Sequence, residues 1–320
     1  IQLNNERKNL MKTLGILALI FISFNSYAVC NQQKQFSLVI HAGSGSGHEP
    51  KAKQEEILKV MKEATIKGRN LLRGGATAED VVVAMVTIFE DSPVFNAGRG
   101  GNPNEQGFVE LDASIMRGSD KNAGAVAAVK KIKNPIKAAL AVMNNSRHVM
   151  FVSEGAENFA KSQKLEMVPN EYFYSGLKFE SNSKEIGTVG AVAMDRCGNW
   201  VAGTSTGGFK TKTPGRVGDS PIIGAGSYAE NKTCAVSCTG HGEFFIRYAV
   251  SHSICSLIKH KGYSGKEAAE HMLKNELLPA GGKGGVIVID NKGIPSYFFT
   301  TKGMSRGMVT ESMDVIVGIY

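Results

Sequence analysis

Apolar residues in the first half of the chain recur at helical spacing. Beginning at Ile57 they occupy positions i, i+3, i+4 and i+7, which predicts an amphipathic helix over residues 52–72. A second helix is expected over residues 77–90, because its first four residues resemble a capping box. A third is expected over residues 134–143, where Asn134 supplies an N-cap and the next residue is a proline at the first helical position.

Short apolar segments bounded by glycine, asparagine or proline predict β-strands. The first covers residues 36–40 and is expected to end in a glycine-rich turn over residues 41–47. Six further strands are expected, at 109–116, 123–129, 189–195, 199–205, 222–228 and 234–238. A final hairpin is expected at 286–290 and 294–299.

The second half also contains helical and irregular segments. A long amphipathic helix is expected over residues 243–259, and Ser264 with Glu267 caps another. Residues 170–186 are polar and lack periodicity, which predicts an exposed flexible segment. Paired helices followed by groups of strands occur twice, a pattern typical of one α/β (α+β) domain with helices packed on largely antiparallel sheets.

The N-terminal residues have the composition of a secretory signal peptide. Lys12 precedes a mostly apolar run over residues 14–24, and small residues stand at −3 and −1 of a cleavage point after Ala28. This run is short for a membrane span, although a membrane anchor or a buried helix is the alternative. We expect residues 11–28 to direct export, to the periplasm, with lipidation of Cys30 as a further alternative.

Composition and charge exclude several classes of protein. Of 320 residues, 42% are hydrophobic and 21% are charged, values close to the average for soluble globular proteins. Disordered, collagenous and multi-span membrane proteins are therefore excluded. The formal charge is +8, and residues 1–28 contribute three basic residues against one acidic residue, which leaves +6 on the rest. This excess is mild and forms no block, so neither a nucleic-acid nor a membrane partner is expected.

The cysteine pattern favours buried thiols over a disulfide framework. The count is odd, and the five residues are Cys30, Cys197, Cys234, Cys238 and Cys255. Cys234 and Cys238 on one strand would lie about 13 Å apart, too far to bridge, and are interpreted as small buried hydrophobes. No second Cys or His pair has the spacing of a zinc site.

Hydroxyl residues beside glycines cluster in four segments of the second half. These are residues 186–190, 203–208, 214–220 and 237–243. Glycines beside hydroxyls at strand ends allow the backbone to approach a ligand closely, so the segments predict an active site. Each segment alone is weak evidence for an active site. Thr188 by itself would be interpreted as a threonine at the start of a strand.

Taken together and in this order, the four segments resemble the plant-type asparaginases, also called isoaspartyl peptidases, a family of N-terminal-nucleophile hydrolases. The resemblance runs from His41 to Tyr320 and is strongest over residues 187–243. Further matches are 95–98, 110–113 and 155–160. The resemblance implies a four-layer αββα sandwich and a chain that cleaves its own peptide bond between Gly187 and Thr188. The products would be an α chain of residues 29–187 and a β chain of residues 188–320, and two such pairs would assemble.

The resemblance also implies a catalytic threonine that needs no cofactor. After self-cleavage Thr188 would carry a free α-amine, whose pKa is ordinarily near 8, so that it can serve as base for its own hydroxyl. Thr206 would orient that hydroxyl. Thr239 and the backbone amide of Gly240 would bind the developing oxyanion.

Substrate recognition is implied for a second group of residues. Arg216 would hold an α-carboxylate in bidentate fashion, and Asp219 would hold an α-ammonium. Without the family context this pair would be a salt bridge in a surface turn. Gly242 resembles a further substrate contact and Asn96 a residue of the active-site wall. The implied substrates are L-asparagine and β-aspartyl dipeptides.

A structural sodium ion is also implied, held through backbone carbonyls of one loop. The matching residues are Phe89, Glu90, Ser92, Phe95, Ala97 and Arg99. Hard cations prefer oxygen ligands, but a set of carbonyls has little side-chain signature, and a tight turn is the alternative.

Two features leave the substrate open. Residues 100–106 are polar where the family often has a short hydrophobic segment, which bears on leaving-group preference. Glycosylasparaginases, which belong to the same superfamily, are an alternative activity, although residues 186–188 and 204–208 look more like the asparaginase branch. A protein that binds amino acids through Arg216 and Asp219 without cleaving them is an alternative from another class.

Overall fold

The computed structural model describes residues 35–45, 50–174 and 186–320. The predicted signal peptide at 11–28 and Cys30 lie outside the described residues, as does most of the predicted flexible segment. Within the described ranges, no helix is both long and apolar enough to cross a membrane.

The three helices predicted in the first half are confirmed, with ends shifted by one or two residues. Thr77 accepts a hydrogen bond from the Asp80 amide and so caps the second of them. Asn134 stands at the predicted N-cap of the third, followed by the proline, but its side chain donates to the Asp91 carboxylate and makes no cap hydrogen bond. The helices are α1 (Lys51–Arg73), α2 (Ala78–Asp91), α3 (Pro135–Asn145), α4 (Ser153–Ser162), α5 (Gly242–Arg247), α6 (Val250–Lys261) and α7 (Gly265–Glu270), with a π-helix at His271–Leu277 and 3₁₀ turns at Gly98–Gly100 and Asn170–Phe173.

The single helix predicted over residues 243–259 is wrong, because the chain breaks there into α5 and α6. Ala249, between them, has a φ of +44°, in the left-handed region that a continuous helix does not contain. The apolar spacing continues through this break, which is why the pattern alone gave one helix. The capping box at Ser264 and Glu267 is confirmed at the start of α7.

Most predicted strands are confirmed, including the final hairpin. The strands are β1 (Ser37–Gly45), β2 (Leu111–Arg117), β3 (Ala123–Val129), β4 (Met150–Val152), β5 (Ile186–Met194), β6 (Trp200–Thr206), β7 (Ser227–Glu230), β8 (Cys234–Gly240), β9 (Gly284–Asp290), β10 (Pro295–Phe299), β11 (Gly303–Thr310) and β12 (Ile316–Gly318). Two predictions need correction. The strand expected at 222–228 forms only from Ser227. Of the turn predicted at 41–47, residues 41–45 instead continue β1, which contains an irregularity around Gly43, where φ is +97°. Residues 46–47 lie outside the described residues.

The strands form two sheets in a mixed α/β arrangement. One sheet has the order β12-β11-β1-β5-β6-β2-β3-β4 and the other the order β10-β9-β8-β7. The pairs are antiparallel except β3 with β4. The prediction of helices with largely antiparallel sheets is therefore confirmed.

The large sheet contributes to two separate hydrophobic clusters. Leu38 and Ile40 pack in a cluster with apolar residues of α1, α2 and α3. Val39 packs in the other cluster, with apolar residues of the small sheet, α6 and α7. Because successive side chains of a strand point to opposite faces, both faces of this sheet are covered. This explains why three apolar residues follow one another at positions 38–40 of β1.

The first part of the segment predicted to be flexible is ordered. Asn170 accepts a hydrogen bond from the Val109 amide and donates to the carbonyls of Val109 and Lys130. Phe173, three residues on, is fully buried. The polar sequence therefore has a structural role here, while residues 175–185 lie outside the described residues.

The interpretation of Cys234 as an unpaired thiol is wrong. Cys234 on β8 forms a disulfide with Cys255 on α6, with Cα atoms 5.6 Å apart. Cys197 is also disulfide-bonded. Only Cys238 is a free buried thiol among the described cysteines, as predicted. The spacing argument excluded a bridge between Cys234 and Cys238, but it could not find a partner on a helix.

Candidate active site

The predicted nucleophile lies where two neighbouring strands of the large sheet meet a loop. β5 pairs with β6 so that Val189 faces Ser205, which brings Thr188 beside Thr206. The Thr188 hydroxyl donates a hydrogen bond of 3.1 Å to Thr206 Oγ1. Thr206 Oγ1 also accepts from the Gly208 amide at 2.9 Å. Both threonines are almost completely buried, so their hydroxyls are held in place by the protein and exposed to little water.

A narrow pocket opens over Thr188 and gathers most of the predicted site residues. Its volume is about 240 Å³ including its open mouth. The enclosed space that a water-sized sphere can occupy is only about 10 Å³, room for about one water molecule. It is lined by Gly187, Thr188, Thr206, Gly208, Phe209, Arg216, Gly218, Asp219, Ser220 and Gly240. Thr239, Gly242 and Asn96 border this set and do not line the pocket themselves.

The predicted oxyanion donors come from the small sheet. Gly240 ends β8 and lines the pocket, and Thr239 precedes it in the same strand, fully buried. Thr239 Oγ1 accepts a 3.4 Å hydrogen bond from the Ser44 amide of β1. A hydroxyl that accepts from an amide keeps its own hydrogen to donate. The Thr239 hydroxyl can thus still donate, and Gly240 of the small sheet lines the same pocket as Thr188 of the large sheet.

Arg216 is held in place at the mouth of the pocket. Its guanidinium forms an ion pair with Glu243, with an Nη2 to Oε1 distance of 2.8 Å. Its Cζ atom lies 4.3 Å from the centre of the Phe209 ring. A stacked, paired guanidinium is preorganised for a carboxylate, and the partly exposed Glu243 is the group that a substrate carboxylate would have to displace.

Asp219 is a buried carboxyl aimed at the same space. It is 3% exposed, and its Oδ2 atom has no hydrogen-bond partner within the described part of the chain. Burial raises the pKa of Asp219 to about 7, against the smaller opposing effects of its own amide and of Arg216. An unsatisfied buried carboxylate oxygen is costly, and a bound ammonium group would satisfy it.

Gly242 lies against both members of this pair. A Cβ atom on Gly242 would stand 2.9 Å from Arg216 Nη2 and 2.9 Å from Asp219 Oδ1. Only glycine leaves that space empty. Its position beside the two charged groups agrees with its expected role as a substrate contact.

Asn96 fixes the wall of the pocket behind Gly187. Its carboxamide donates to the Gly208 carbonyl at 2.7 Å and accepts from the Asn102 amide at 2.7 Å. The Asn102 side chain donates to the same Gly208 carbonyl at 3.2 Å. The polar segment at 100–106, which departs from the family pattern, therefore packs on the loop that carries Phe209 and Arg216.

Two residues of the site were not predicted from sequence. Phe209 lines the pocket and Glu243 pairs with Arg216, yet neither was given a role. Glu243 ends the segment 237–243, which was predicted to belong to the active site, so its position in the sequence was a usable signal. Phe209 had no such signal, because its contact with Arg216 depends on how the loop folds.

The loop proposed for sodium forms a tight cradle of backbone around two glycines. A Cβ on Gly98 would collide with the Glu90 carbonyl, and one on Gly100 would collide with the Phe95 carbonyl. The carbonyls of Phe89, Phe95 and Ala97 each accept one backbone amide and keep a second lone pair. The residues present therefore fit a hard cation. No cluster of three or more His, Cys, Asp or Glu side chains suited to a metal occurs among the described residues.

Comparison with known proteins gives consistent matches. The model of the Asparaginase_2 family, described as asparaginase, matches residues 34–181 and 175–319. An isoaspartyl peptidase of Escherichia coli strain K12 is 40% identical, over 88% of this chain and 95% of that protein. An isoaspartyl peptidase/L-asparaginase of Homo sapiens is 40% identical, over 80% of this chain and 87% of its own length. A probable isoaspartyl peptidase/L-asparaginase of Arabidopsis thaliana is 35% identical, over 89% of this chain and 99% of that protein.

Proposed function

The chain belongs to the Asparaginase_2 family and is a hydrolase of the isoaspartyl peptidase/L-asparaginase type, and from that premise we propose that Thr188 is its nucleophile. The proposed reaction is hydrolysis of β-aspartyl dipeptides and L-asparagine to release L-aspartate. The observation that supports it best is the 3.1 Å hydrogen bond between Thr188 and Thr206, in a pocket also lined by Arg216, Asp219 and Gly240.

The first proposed step is self-cleavage of the bond between Gly187 and Thr188. The Thr188 hydroxyl oxygen attacks the Gly187 carbonyl carbon, and the peptide C–N bond breaks as its nitrogen takes a proton. Water then hydrolyses the resulting ester. The products are an α chain of residues 29–187 and a β chain of residues 188–320, with a free α-amine on Thr188.

Turnover would use the new α-amine as the base. The amine accepts the proton of the Thr188 hydroxyl, whose oxygen attacks the side-chain carbonyl of the substrate. The Thr239 hydroxyl and the Gly240 amide donate to the oxyanion. The leaving amine departs with a proton, and water cleaves the aspartyl ester to release L-aspartate and restore Thr188.

Arg216 and Asp219 would select the aspartyl unit. Arg216 pairs with the α-carboxylate after that group displaces Glu243, and the unsatisfied oxygen of Asp219 accepts the α-ammonium. Gly242 leaves room for both ends beside this pair, and Asn96 keeps the facing wall in position. A substrate held at both ends of its α-carbon presents its side-chain amide to Thr188.

Several wider features belong to the same proposal. The two clusters on opposite faces of the large sheet support a four-layer αββα sandwich, and we expect two αβ pairs to assemble. The cradle at residues 89–99 would hold a structural sodium ion that takes no part in catalysis. Export to the periplasm agrees with the disulfide between Cys234 and Cys255, because such bonds persist in oxidising compartments. No nucleic-acid or membrane partner is proposed.

The test combines intact mass with an activity assay. Mass spectrometry of the purified protein should show two chains that divide between Gly187 and Thr188, and the protein should release aspartate from a β-aspartyl dipeptide. Thr188→Ala should abolish both the cut and the turnover, and activity retained by this variant would refute the assignment. A cut protein that cleaves only a glycosylated asparagine would point to a glycosylasparaginase. An uncut protein that binds but does not cleave would point to a binding protein.

A further inference from the structure

A row of polar side chains crosses the apolar interface between the two sheets. In the large sheet, His41 pairs with Gly190, Gly190 with Thr204, and Thr204 with Ser114. In the small sheet, Ser227 pairs with Ser237. His41, Thr204, Ser114, Ser227 and Ser237 are each fully buried. We call these five residues the hydroxyl rung.

Gly190 creates the gap through which the two sheets interlock. A Cβ there would stand 2.5 Å from His41 Nε2 and would overlap the Ser237 hydroxyl oxygen. Because Gly190 has no side chain, the Ser237 hydroxyl from the facing sheet fits between His41 and Thr204. A serine or alanine at 190 would close this gap.

Short contacts connect the rung from end to end. The His41 Nε2 atom lies 3.0 Å from Ser237 Oγ, and Ser237 Oγ lies 2.7 Å from Thr204 Oγ1. Thr204 Oγ1 is 2.6 Å from Ser227 Oγ, which is 3.1 Å from Ser114 Oγ. Ser114 Oγ is 2.6 Å from the carbonyl oxygen of Ser220, the residue after Asp219.

The carbonyl at the end favours one direction for the hydrogen bonds of the rung. A carbonyl only accepts, so the single hydroxyl hydrogen of Ser114 goes to it. Ser114 Oγ also has donor geometry toward Ser227 Oγ at 3.1 Å, but its one hydrogen goes to the shorter contact with the carbonyl at 2.6 Å. Ser227 then donates to Ser114, and Thr204 donates to Ser227. By the same count Ser237 donates to Thr204, although Thr204 also lies 3.2 Å from the Gly226 carbonyl. His41 must therefore donate to Ser237 through Nε2.

This direction assigns the tautomer of His41. Burial lowers the pKa of His41 to about 3, with a smaller opposing effect from the Thr188 backbone, so the ring is neutral near pH 7. A neutral imidazole carries one N–H, which the rung places on Nε2. The Nδ1 atom makes no hydrogen bond of standard geometry with the described residues, so the ring nitrogen with a hydrogen-bond partner there is Nε2, toward Ser237.

The rung lies directly below the three active-site threonines. Gly190 is two residues from Thr188, Thr204 is two residues from Thr206, and Ser237 is two residues from Thr239. Side chains two apart on a strand share a face, so each threonine stands next to a member of the rung or to its gap. The same rung joins the large sheet, which carries the nucleophile, to the small sheet, which carries the oxyanion donors.

We propose that the hydroxyl rung is a positioning device, which locks the large sheet against the small sheet so that Thr188 stays aligned with Thr239 and Gly240. This inference rests on the proposed function, since it assigns the rung's effect to those roles. Hydrogen bonds from donors with one hydrogen each are directional, whereas apolar packing alone would let the two sheets slide by small distances.

The kinetic test removes one hydroxyl without changing the side-chain shape. Thr204→Val should lower kcat by about 10- to 100-fold, the scale of a misalignment near 1 Å, with KM changed by less than about twofold. Thr204→Ser keeps the hydroxyl and should keep kcat. Thr65→Val is the matched control, since Thr65 on α1 is equally buried and donates to the Met61 carbonyl. All variants are assayed as two-chain protein with a β-aspartyl dipeptide.

The second test needs no variant to stay active. Nitrogen NMR of the 15N-histidine-labelled protein, with the His41 signals identified by their loss in His41→Gln, should show a proton on Nε2 and no titration between pH 5 and 9. A proton on Nδ1 would overturn the assigned direction. Equal kcat losses in Thr204→Val and Thr65→Val, or none in Thr204→Val, would overturn the positioning role. A wild-type protein that cleaves no β-aspartyl substrate would refute the proposed function, while the NMR result would still decide the direction of the rung.

Discussion

If Asp219 receives the substrate ammonium as proposed, its raised pKa predicts that this recognition depends on pH. With a pKa of about 7 in the free protein, about one tenth of the Asp219 carboxyls are charged at pH 6 and about nine tenths at pH 8. An ammonium group binds to the charged form. The affinity for a ligand with an α-ammonium should therefore rise about tenfold between pH 6 and pH 8.

Inhibition by the product measures this effect without the chemistry of turnover. L-aspartate and L-malate would be compared as competitive inhibitors, because malate has a hydroxyl in place of the ammonium. Both see the same Thr188 amine, so only the contact with Asp219 differs between them. The inhibition constant of aspartate should fall about tenfold over this range, and that of malate should not.

Asp219→Asn provides the control for this experiment. The asparagine cannot ionise, so the inhibition constant of aspartate should lose its dependence on pH near 7. If wild-type protein binds aspartate equally well at pH 6 and pH 8, or if malate shows the same trend, Asp219 does not receive the ammonium and that part of the site is assigned wrongly.

Three other changes test separate parts of the structure. Arg216→Ala should raise KM by about 10- to 150-fold, because loss of a charge-assisted contact costs about 1.5–3 kcal/mol, and an unchanged KM would remove its role toward the α-carboxylate. Gly242→Ala should also raise KM while leaving the self-cleavage complete by intact mass, since the added Cβ would stand 2.9 Å from Arg216 and Asp219. Replacing both Cys234 and Cys255 by alanine should lower the free energy of unfolding by about 3 kcal/mol in a urea titration, and a reductant should then have a smaller effect on the variant than on wild type.

Local signals in the sequence predicted the elements that depend on nearby residues. The amphipathic spacing that begins at Ile57, the cap at Thr77 and the capping box at Ser264 all act within one or two turns of chain. Helices that carry such signals were predicted to within a few residues. The final hairpin was likewise predicted, because its turn lies between two apolar runs.

Features that depend on distant residues could not be predicted from the chain alone. The glycine-rich stretch after residue 40 continues as a strand because β11 and β5 pair with it on either side. The break at Ala249 interrupts a pattern that stays apolar, and the partner of Cys234 lies on a helix 21 residues away. In each case tertiary contacts overrode a local preference.

The candidate site shows the same division on a smaller scale. The resemblance placed Thr188, Thr206, Arg216 and Asp219 in one site, and the described pocket contains all four. The sequence could not show that Glu243 forms an ion pair with Arg216 in the protein without substrate. That contact depends on the fold of two loops and on the start of α5.

The hydroxyl rung shows that the two-residue repeat of side chains along a strand identifies neighbours in space only when the register between strands is known. Gly190, Thr204 and Ser237 each stand two positions from a threonine of the site, and that spacing can be read from the sequence. Nothing in the sequence says that these three positions meet, because the meeting requires β5, β6 and β8 to align across two sheets. Once the register is known, the absence of a side chain at Gly190 gains a reason. It admits a hydroxyl from the facing sheet, beside the proposed nucleophile and the proposed oxyanion donors.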